Sequence, residues 1–226
     1  MPKLAYLLYR NPARSHEEFV RHYYAVHSPL AVEAMPLQTF YTADIADEPT
    51  AVDAVAFLRF DDLSVLDDPA RLYANHEFEE RVAADGVYLF SAMHGYIVDE
   101  VVQRDVPRTW PLGQTSPGVK QISLLRGRPG LDATEFRRLY EHEHGPLTLR
   151  EHPGLWRYIQ NFVVDAITPD APPLDAITER HFRSEDDFRT GSYRNDDSRS
   201  VLSEDSAQFI DLSSAVSVLT RETVWI

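Results

Sequence analysis

Apolar and polar positions in the first half of the chain alternate between short strand-like runs and one-sided helical stretches. Residues Ser15 to Glu18 have the spacing of a capping box, which opens a helix. The apolar runs that this helix separates are short and end at prolines or polar turns, which is typical of strands. Strands are predicted at 3–9, 38–46, 52–60 and 95–102, with a second helical stretch near 67–84. The first half therefore predicts the order β-α-β-β-α-β.

The second half shows the same order. Asp132 to Glu135 resembles a capping box and opens its first helix. Strands are predicted at 119–126, 156–166, 174–182 and 215–225, with the second helix inside 184–212. This order is the split ferredoxin-like unit, in which helices cover one face of an antiparallel sheet.

An internal repeat relates the two halves. A shift of 117 positions aligns a first set of identical residues without a gap, and a shift of 122 aligns a later set. The extra residues fall in a proline-rich turn at 168–173, where an insertion costs little stability. The first set pairs Lys3 with Lys120, Glu18-Phe19 with Glu135-Phe136, Tyr23 with Tyr140, His27 with His144, and Tyr41 with Tyr158. We interpret the chain as a tandem duplication.

The joint between the repeats is a segment rich in proline and glycine. Residues 103–118 contain three prolines and two glycines and show little periodicity, which favours an ordered or semi-stiff linker. We therefore predict repeat 1 at 1–104, a linker at 105–118 and repeat 2 at 119–226. Two such units can bury the open faces of their sheets against each other, so the predicted fold is α+β, with two ferredoxin-like units closing an intrachain barrel.

Composition and charge narrow the class of protein. The 226 residues include no cysteine, which excludes disulfide frameworks, thiolate metal sites and a cysteine nucleophile. The formal net charge of −14 argues against a nucleic-acid partner. No apolar run is long enough to span a bilayer, and the first residues lack a signal-peptide pattern. We expect a cytoplasmic protein without a membrane partner.

Several segments resemble the EthD domain of the dimeric α+β barrel superfamily. The resemblance is carried by 120–136 and 140–147, by the His-x-Pro-Leu at 27–30, and by 175–187. It implies a cavity between helices and sheet that binds a small aromatic or polyketide-like molecule. Relatives of this kind include cofactor-independent decarboxylases, cyclases, isomerases and oxygenases. The resemblance therefore implies a small-molecule partner and no cofactor, and it leaves open a monomer or a homodimer.

The repeated histidines are the candidates for proton transfer. His27 and His144 each precede a proline by two residues, where we expect the helix to break. Histidine is the usual general acid or base near neutral pH, and a helix C-terminus favours its protonated form. Each histidine could instead hydrogen-bond the carbonyls loosened by the proline, a structural role that duplication would also produce. The neighbour Glu143 and the family-like context favour His144 slightly.

Two pairs of tyrosines accompany the histidines. Tyr23 and Tyr140 lie four residues before each histidine, on the same helical face. A phenol there could orient a substrate oxygen, although an aromatic at this spacing more often packs in the core. Tyr41 and Tyr158, on the following strands, are further candidates for substrate binding.

A row of polar residues marks one strand of repeat 2. Asp175, Glu179 and His181 alternate along one face, which could line a polar cavity or meet solvent. Repeat 1 has Asp53, Phe57 and Arg59 at these positions. This divergence suggests polar chemistry in repeat 2 and apolar binding in repeat 1.

The motifs for other chemistries are missing from the sequence. His142 and His144 are spaced i, i+2 and do not form the zinc pair of an HExxH motif. Phosphate-binding loops, nucleophile elbows and dinucleotide fingerprints are also missing from it. We expect no metal site, and haem binding remains a minor alternative because some dimeric α+β barrels bind haem. The main alternative to a cofactor-free enzyme is a non-catalytic, ligand-binding accessory protein of a degradation or biosynthetic pathway.

Overall fold

Eight antiparallel strands form a closed barrel in the computed structural model, which describes residues 3–190 and 193–226. The strand order around the barrel is β1-β3-β2-β8-β5-β7-β6-β4. The strands are β1 Lys3–Arg10, β2 Gln38–Ala46, β3 Ala54–Phe60, β4 Phe90–Arg104, β5 Val119–Leu125, β6 Leu155–Ala166, β7 Ala176–Phe182 and β8 Val216–Val224. The predicted α+β class and the strand positions are confirmed, although β4 is longer than the predicted 95–102.

The helices pack outside the barrel. They are α1 His16–His22, α2 Ser28–Ala34, α3 Pro69–Leu72, α4 His76–Leu89, α5 Ala133–Arg138, α6 Gly145–Glu151, α7 Glu185–Arg189 and α8 Ser198–Ser206. The stretch predicted as one helix at 67–84 is divided, because Asp68 caps α3 and Asn75 separately caps α4. Within the predicted 184–212 stretch lie α7 and α8, whereas Gly191 and Ser192 are outside the described residues.

Strands from the two halves pair with each other to close the barrel. The pairs that join them are β2 with β8 and β4 with β6, and both are antiparallel. Closure leaves these strands without open edges and buries both faces of the sheet, since side chains on one face fill the barrel and those on the other pack beneath helices. The face that a residue occupies therefore decides whether it lies inside the barrel or beside a helix.

The first helix of each half contains a π-helical turn instead of the predicted break. The turn spans Tyr23–His27 in the first half and Leu139–His144 in the second. Ser28 N–H bonds the Tyr23 carbonyl five residues back, and Pro29 then stands in the first turn of α2. A proline in a first turn costs little, because its missing N–H would have no intrahelical partner. The prediction of a helix end at these histidines is therefore wrong, and the helix runs on through α2 and α6.

Candidate active site

The helical segment α1–π turn–α2 places the predicted aromatic face over the sheet. Ser15 and Glu18 form the predicted capping box at its start. Further along, the ring of Tyr23 lies 5.6 Å from that of Phe19 and 4.8 Å from that of His27, measured between centroids. Phe19 and Tyr23 are fully buried. The shared face predicted from the four-residue spacing is confirmed.

An acid–histidine pair forms at the end of this face. The Nδ1 of His27 lies 2.7 Å from Oδ2 of Asp85, which α4 supplies. Because a carboxylate only accepts hydrogen bonds, Nδ1 carries a proton, and in the neutral imidazole the lone pair is therefore on Nε2. Burial would raise the pKa of Asp85, but hydrogen bonds from His27 and His22 outweigh it and hold that pKa below its ordinary value. Asp85 is therefore ionised at neutral pH and suited to stabilise an imidazolium.

His27 borders a cavity of about 180 Å³ between the helices and the sheet of the first half. The walls are mainly aliphatic and aromatic, and several phenol rings contribute to them. The lining residues include Tyr6, Tyr23, Ala31, Tyr41, Tyr73 and Phe90. The site therefore combines one base with an apolar enclosure, the usual composition of a small-molecule pocket.

The hydroxyls of Tyr23, Tyr41 and Ser28 are linked by hydrogen bonds next to this cavity. The Tyr41 hydroxyl lies 3.3 Å from that of Tyr23 and 3.1 Å from Oγ of Ser28. Burial raises the pKa of Tyr41 to about 12 and that of Tyr23 well above its ordinary value. Both phenols therefore remain neutral and can act as hydrogen-bond donors but not as bases.

The second half repeats the histidine–acid pair in more polar surroundings. The Nδ1 of His144 lies 2.7 Å from Oδ2 of Asp205, on α8. The Tyr140 hydroxyl bonds Oγ1 of Thr178, and Tyr158 lies close enough to Tyr140 to perturb its titration. The first half has Ala56 in the position of Thr178. The structure thus brings Tyr140, Tyr158 and His144 to one side of the sheet.

Two of the other predicted residues of the second half lie on the opposite face of the sheet from Tyr140 and His144. Glu179 and His181 point into the barrel, where each is less than 5% exposed. Asp175 precedes β7 and accepts a hydrogen bond from the Gly127 amide. Burial lowers the pKa of His181 to about 4, and its Nε2 donates to the Pro117 carbonyl. The structure does not bring these three residues together with His144.

Glu179 instead belongs to an ion cluster inside the barrel. The Nζ of Lys120 lies 2.9 Å from Asp44, 2.6 Å from Glu179 and 2.7 Å from Glu222. Lys3, the repeat partner of Lys120, also bonds Glu179, at 2.7 Å. Burial would lower the pKa of Lys120, but the three carboxylates outweigh it and raise that pKa.

The same three carboxylates have the spacing of a metal site. Their oxygens all lie within 4.8 Å of one another, the one such group of acidic or histidine side chains found among residues 3–190 and 193–226. The Lys120 ammonium bonds all three, so it takes the position and the charge that a cation would supply. With Lys120 in this position, the three carboxylates offer no free ligand set to a metal.

The acidic partners of the histidines were missed by sequence reasoning. Asp85 and Asp205 lie 58 and 61 residues after their histidines, and nothing in the local pattern singles them out. The sequence did contain a feature that indicates the ion cluster. Lys3 and Lys120 recur at matched positions within apolar strand runs, and a buried lysine requires buried acids.

The second half also matches a family in sequence. Residues 128–213, less than half of the chain, match the EthD domain. The matched part runs from the loop after β5 to just before β8 and includes His144 and Asp205. No curated protein is similar enough to match the chain.

Solved structures show the same fold across nearly the whole chain. A monooxygenase-like protein from Lactobacillus acidophilus NCFM is 11% identical, with a TM-score of 0.55 over 99% of this chain and 94% of that one. An anthrone oxidase-like protein is 9% identical, with a TM-score of 0.60 over 99% and 92%. A variant chlorite dismutase from Candidatus Nitrospira defluvii is 12% identical, with a TM-score of 0.53 over 98% and 91%. The fold is that of the dimeric α+β barrel proteins.

The helices are short compared with a lipid bilayer. Within 3–190 and 193–226, none combines the length and the apolar character that a transmembrane span requires.

Proposed function

We propose that the protein is a cofactor-independent enzyme that moves a proton on a small aromatic substrate held in the cavity of the first half. The observation that carries the proposal is the His27–Asp85 pair at the wall of an apolar cavity. A base fixed in one tautomer by an ionised acid, with an apolar enclosure beside it, is a recurring arrangement for proton transfer. The dimeric α+β barrel fold agrees with this proposal but does not by itself define a reaction.

The proposed chemistry uses His27 as the base. Its Nε2 takes a proton from a substrate C–H or O–H, the bonding electrons stay on the substrate as an enolate or phenolate, and Asp85 stabilises the imidazolium. Return of the proton to another substrate atom completes an isomerisation. In a cyclisation the enolate carbon bonds a carbonyl carbon of the same substrate, the C=O electrons move to oxygen, and that oxygen takes the proton back. In a decarboxylation the proton comes from the substrate carboxyl group, carbon dioxide leaves with the bonding electrons kept on the remaining carbon, and that carbon takes the proton. The neutral phenol of Tyr23 accepts a hydrogen bond from Tyr41 and keeps its own O–H to donate to the developing oxyanion.

Cavity size favours a substrate with a single aromatic ring. An apolar cavity of about 150 Å³ is sufficient to bind benzene, and the cavity here measures about 180 Å³. Pockets for drug-sized ligands are larger, at about 300–1,000 Å³. Of the two substrate classes expected from the sequence, the small aromatic fits better than a polycyclic polyketide. A haem group is larger again and does not fit this cavity.

We also propose that the chain is a tandem pair of EthD-like repeats. The support is the shared order of elements, the π turn in both first helices, and the histidine–aspartate pair in each half. The domain limits 1–104 and 119–226 follow from the same comparison. In this proposal the first half keeps the apolar cavity and the second half carries the more polar version of the site.

The alternative is a non-catalytic protein that binds the same aromatic ligand. Repetition of the pair at His144 favours it, because a pair that only holds α4 or α8 in place would also be duplicated. The two functions differ in whether the ligand is converted.

Mass spectrometry on a panel of one-ring and polycyclic phenolic acids tests the proposal. We expect conversion of at least one single-ring compound by the wild type and none by the His27→Gln, His144→Gln double variant. Saturable binding without any product would support the accessory protein, and full activity in the double variant would contradict the histidine mechanism.

A further inference from the structure

Asp85 accepts hydrogen bonds from two histidines, one at each carboxylate oxygen. His27 Nδ1 bonds Oδ2 at 2.7 Å, and His22 Nε2 bonds Oδ1 at 2.5 Å. Since the carboxylate only accepts, the proton of His22 is on Nε2. Asp85 therefore has both oxygens fixed from the same helical segment.

The π turn makes this double contact possible. In an α-helix, residues five apart do not face each other, because neighbours on one face are three or four apart. The π turn closes its hydrogen bonds between residues five apart, and it lies between His22 and His27. The irregular turn thus brings both rings to one side, opposite Asp85.

The three groups form a chain from the protein surface to the cavity. The side chain of His22 is 22% exposed and its ring packs on Tyr88, at 4.5 Å between centroids. Asp85 is buried behind it, and His27 follows at the cavity wall. His22 itself does not line the cavity, so any influence on a ligand passes through Asp85.

The second half supplies a natural comparison. Leu139 stands at the repeat position of His22, and it leads the π turn that carries His144. Asp205 bonds His144 with one oxygen and is 22% exposed, whereas Asp85 is 7% exposed. A histidine–aspartate pair therefore forms without a second histidine. His22 is therefore not required for such a pair to form, and its hydrogen bond to Asp85 is an additional feature of the first half.

We propose that His22 is a positioning residue that fixes the orientation of Asp85 and, through it, the tautomer of His27. The proposal rests on the proposed function, since a fixed Nδ1–H tautomer matters when Nε2 acts as the base. The second anchor prevents the carboxylate from turning toward solvent and releasing the imidazole. Rate and tautomer should then both depend on the hydrogen bond at Oδ1.

Two substitutions separate the hydrogen bond from the bulk of the ring. His22→Leu introduces the residue found in the second half and removes the donor. His22→Gln keeps an N–H donor in the same direction. Equal thermal unfolding of the two variants controls for folding.

Nitrogen-15 NMR of the imidazole rings at neutral pH needs no substrate and is the first measurement. We expect His27 to be Nδ1-protonated in wild type and in His22→Gln, and to become a mixture of tautomers in His22→Leu. An unchanged His27 tautomer in His22→Leu would overturn the proposal.

Turnover of a converted phenol from the panel is the second measurement. We expect kcat to fall roughly 2- to 10-fold in His22→Leu, the equivalent of one hydrogen bond, with KM unchanged and with recovery in His22→Gln. Equal kcat in all three proteins would also overturn it. If no compound is converted, the proposed function fails while the NMR result still decides whether His22 positions Asp85.

Discussion

His27 and Asp85 lie 58 residues apart in the chain, yet Nδ1 and Oδ2 are separated by 2.7 Å. The contact fixes one helix against another over the sheet and holds His27 at the wall of an apolar cavity. Because the same pair recurs as His144 with Asp205, each half can serve as the control for the other.

Filling the cavity should abolish ligand binding while the fold survives. Ala31 lies on its wall and is buried. We expect Ala31→Phe to remove binding of 4-fluorophenol, observed by fluorine NMR, at a stability cost of about 1–3 kcal/mol for overpacking. Ala31→Gly is the matched control, and it should leave binding intact. Unchanged binding in Ala31→Phe would show that the probe binds elsewhere.

The hydroxyls of Tyr23 and Tyr140 should contribute similarly to stability but differently to the rate of turnover. Tyr23→Phe loses a long hydrogen bond to Tyr41, and Tyr140→Phe loses the bond to Thr178. Each change should lower the free energy of unfolding by about 0.5–1.5 kcal/mol in urea titrations. Turnover should fall in Tyr23→Phe and remain near wild type in Tyr140→Phe. The opposite order of rates would move the reacting site to the second half.

The lysine at the centre of the barrel cluster should be essential to stability. Lys120→Met leaves Asp44, Glu179 and Glu222 facing one another, and removing one partner from a buried ionic group typically costs 3–5 kcal/mol. Adding Glu222→Gln removes one of the repelling charges, so part of the loss should be recovered in the double variant. A loss below about 1 kcal/mol in Lys120→Met would contradict the buried cluster.

Asp44 should make stability depend on pH in an unusual direction. Burial, opposed by Lys120, raises the pKa of Asp44 to about 7, whereas the unfolded chain has an ordinary aspartate pKa near 3.9. The folded protein therefore binds this proton more tightly, and the contribution of Asp44 to stability is present below about pH 4 and is lost as pH rises to about 7.

His181 is buried in its neutral form, and its pKa is lowered to about 4. Its contribution to stability therefore increases with pH over much of the same range, opposite to that of Asp44. Comparison with Asp44→Asn isolates the Asp44 contribution. Urea titrations from pH 4 to 8 should show the variant gaining stability relative to wild type as pH rises. A constant difference across this range would contradict a raised pKa for Asp44.

Strands and their order could be predicted from the sequence because apolar runs, turns and the internal repeat all agree. Which face of each strand lies inside the barrel and which lies beneath the helices could not be predicted from the sequence. Alternation separates Glu179 and His181 from Thr178, but the closed barrel with its outer helices buries all three. Burial therefore no longer identifies which face lies beneath the helices.

The geometry of the histidines depended on two features that the local pattern hides. A spacing of four residues between Tyr23 and His27 fits an α-helix and a π turn alike. The sequence therefore did not show that the helix continues past Pro29 through a π turn. Asp85 directly follows the predicted 67–84 helical stretch as one acid among many, and only the packing of α4 selects it.

The most direct measurement is a comparison of kcat/KM for His27→Gln and His144→Gln on the same converted phenol. General base catalysis contributes about 10²- to 10⁴-fold, so we predict a loss of at least about 100-fold in His27→Gln and near wild-type activity in His144→Gln. Equal activities in the two variants, or a loss confined to His144→Gln, would contradict the assignment of the reaction to the first half.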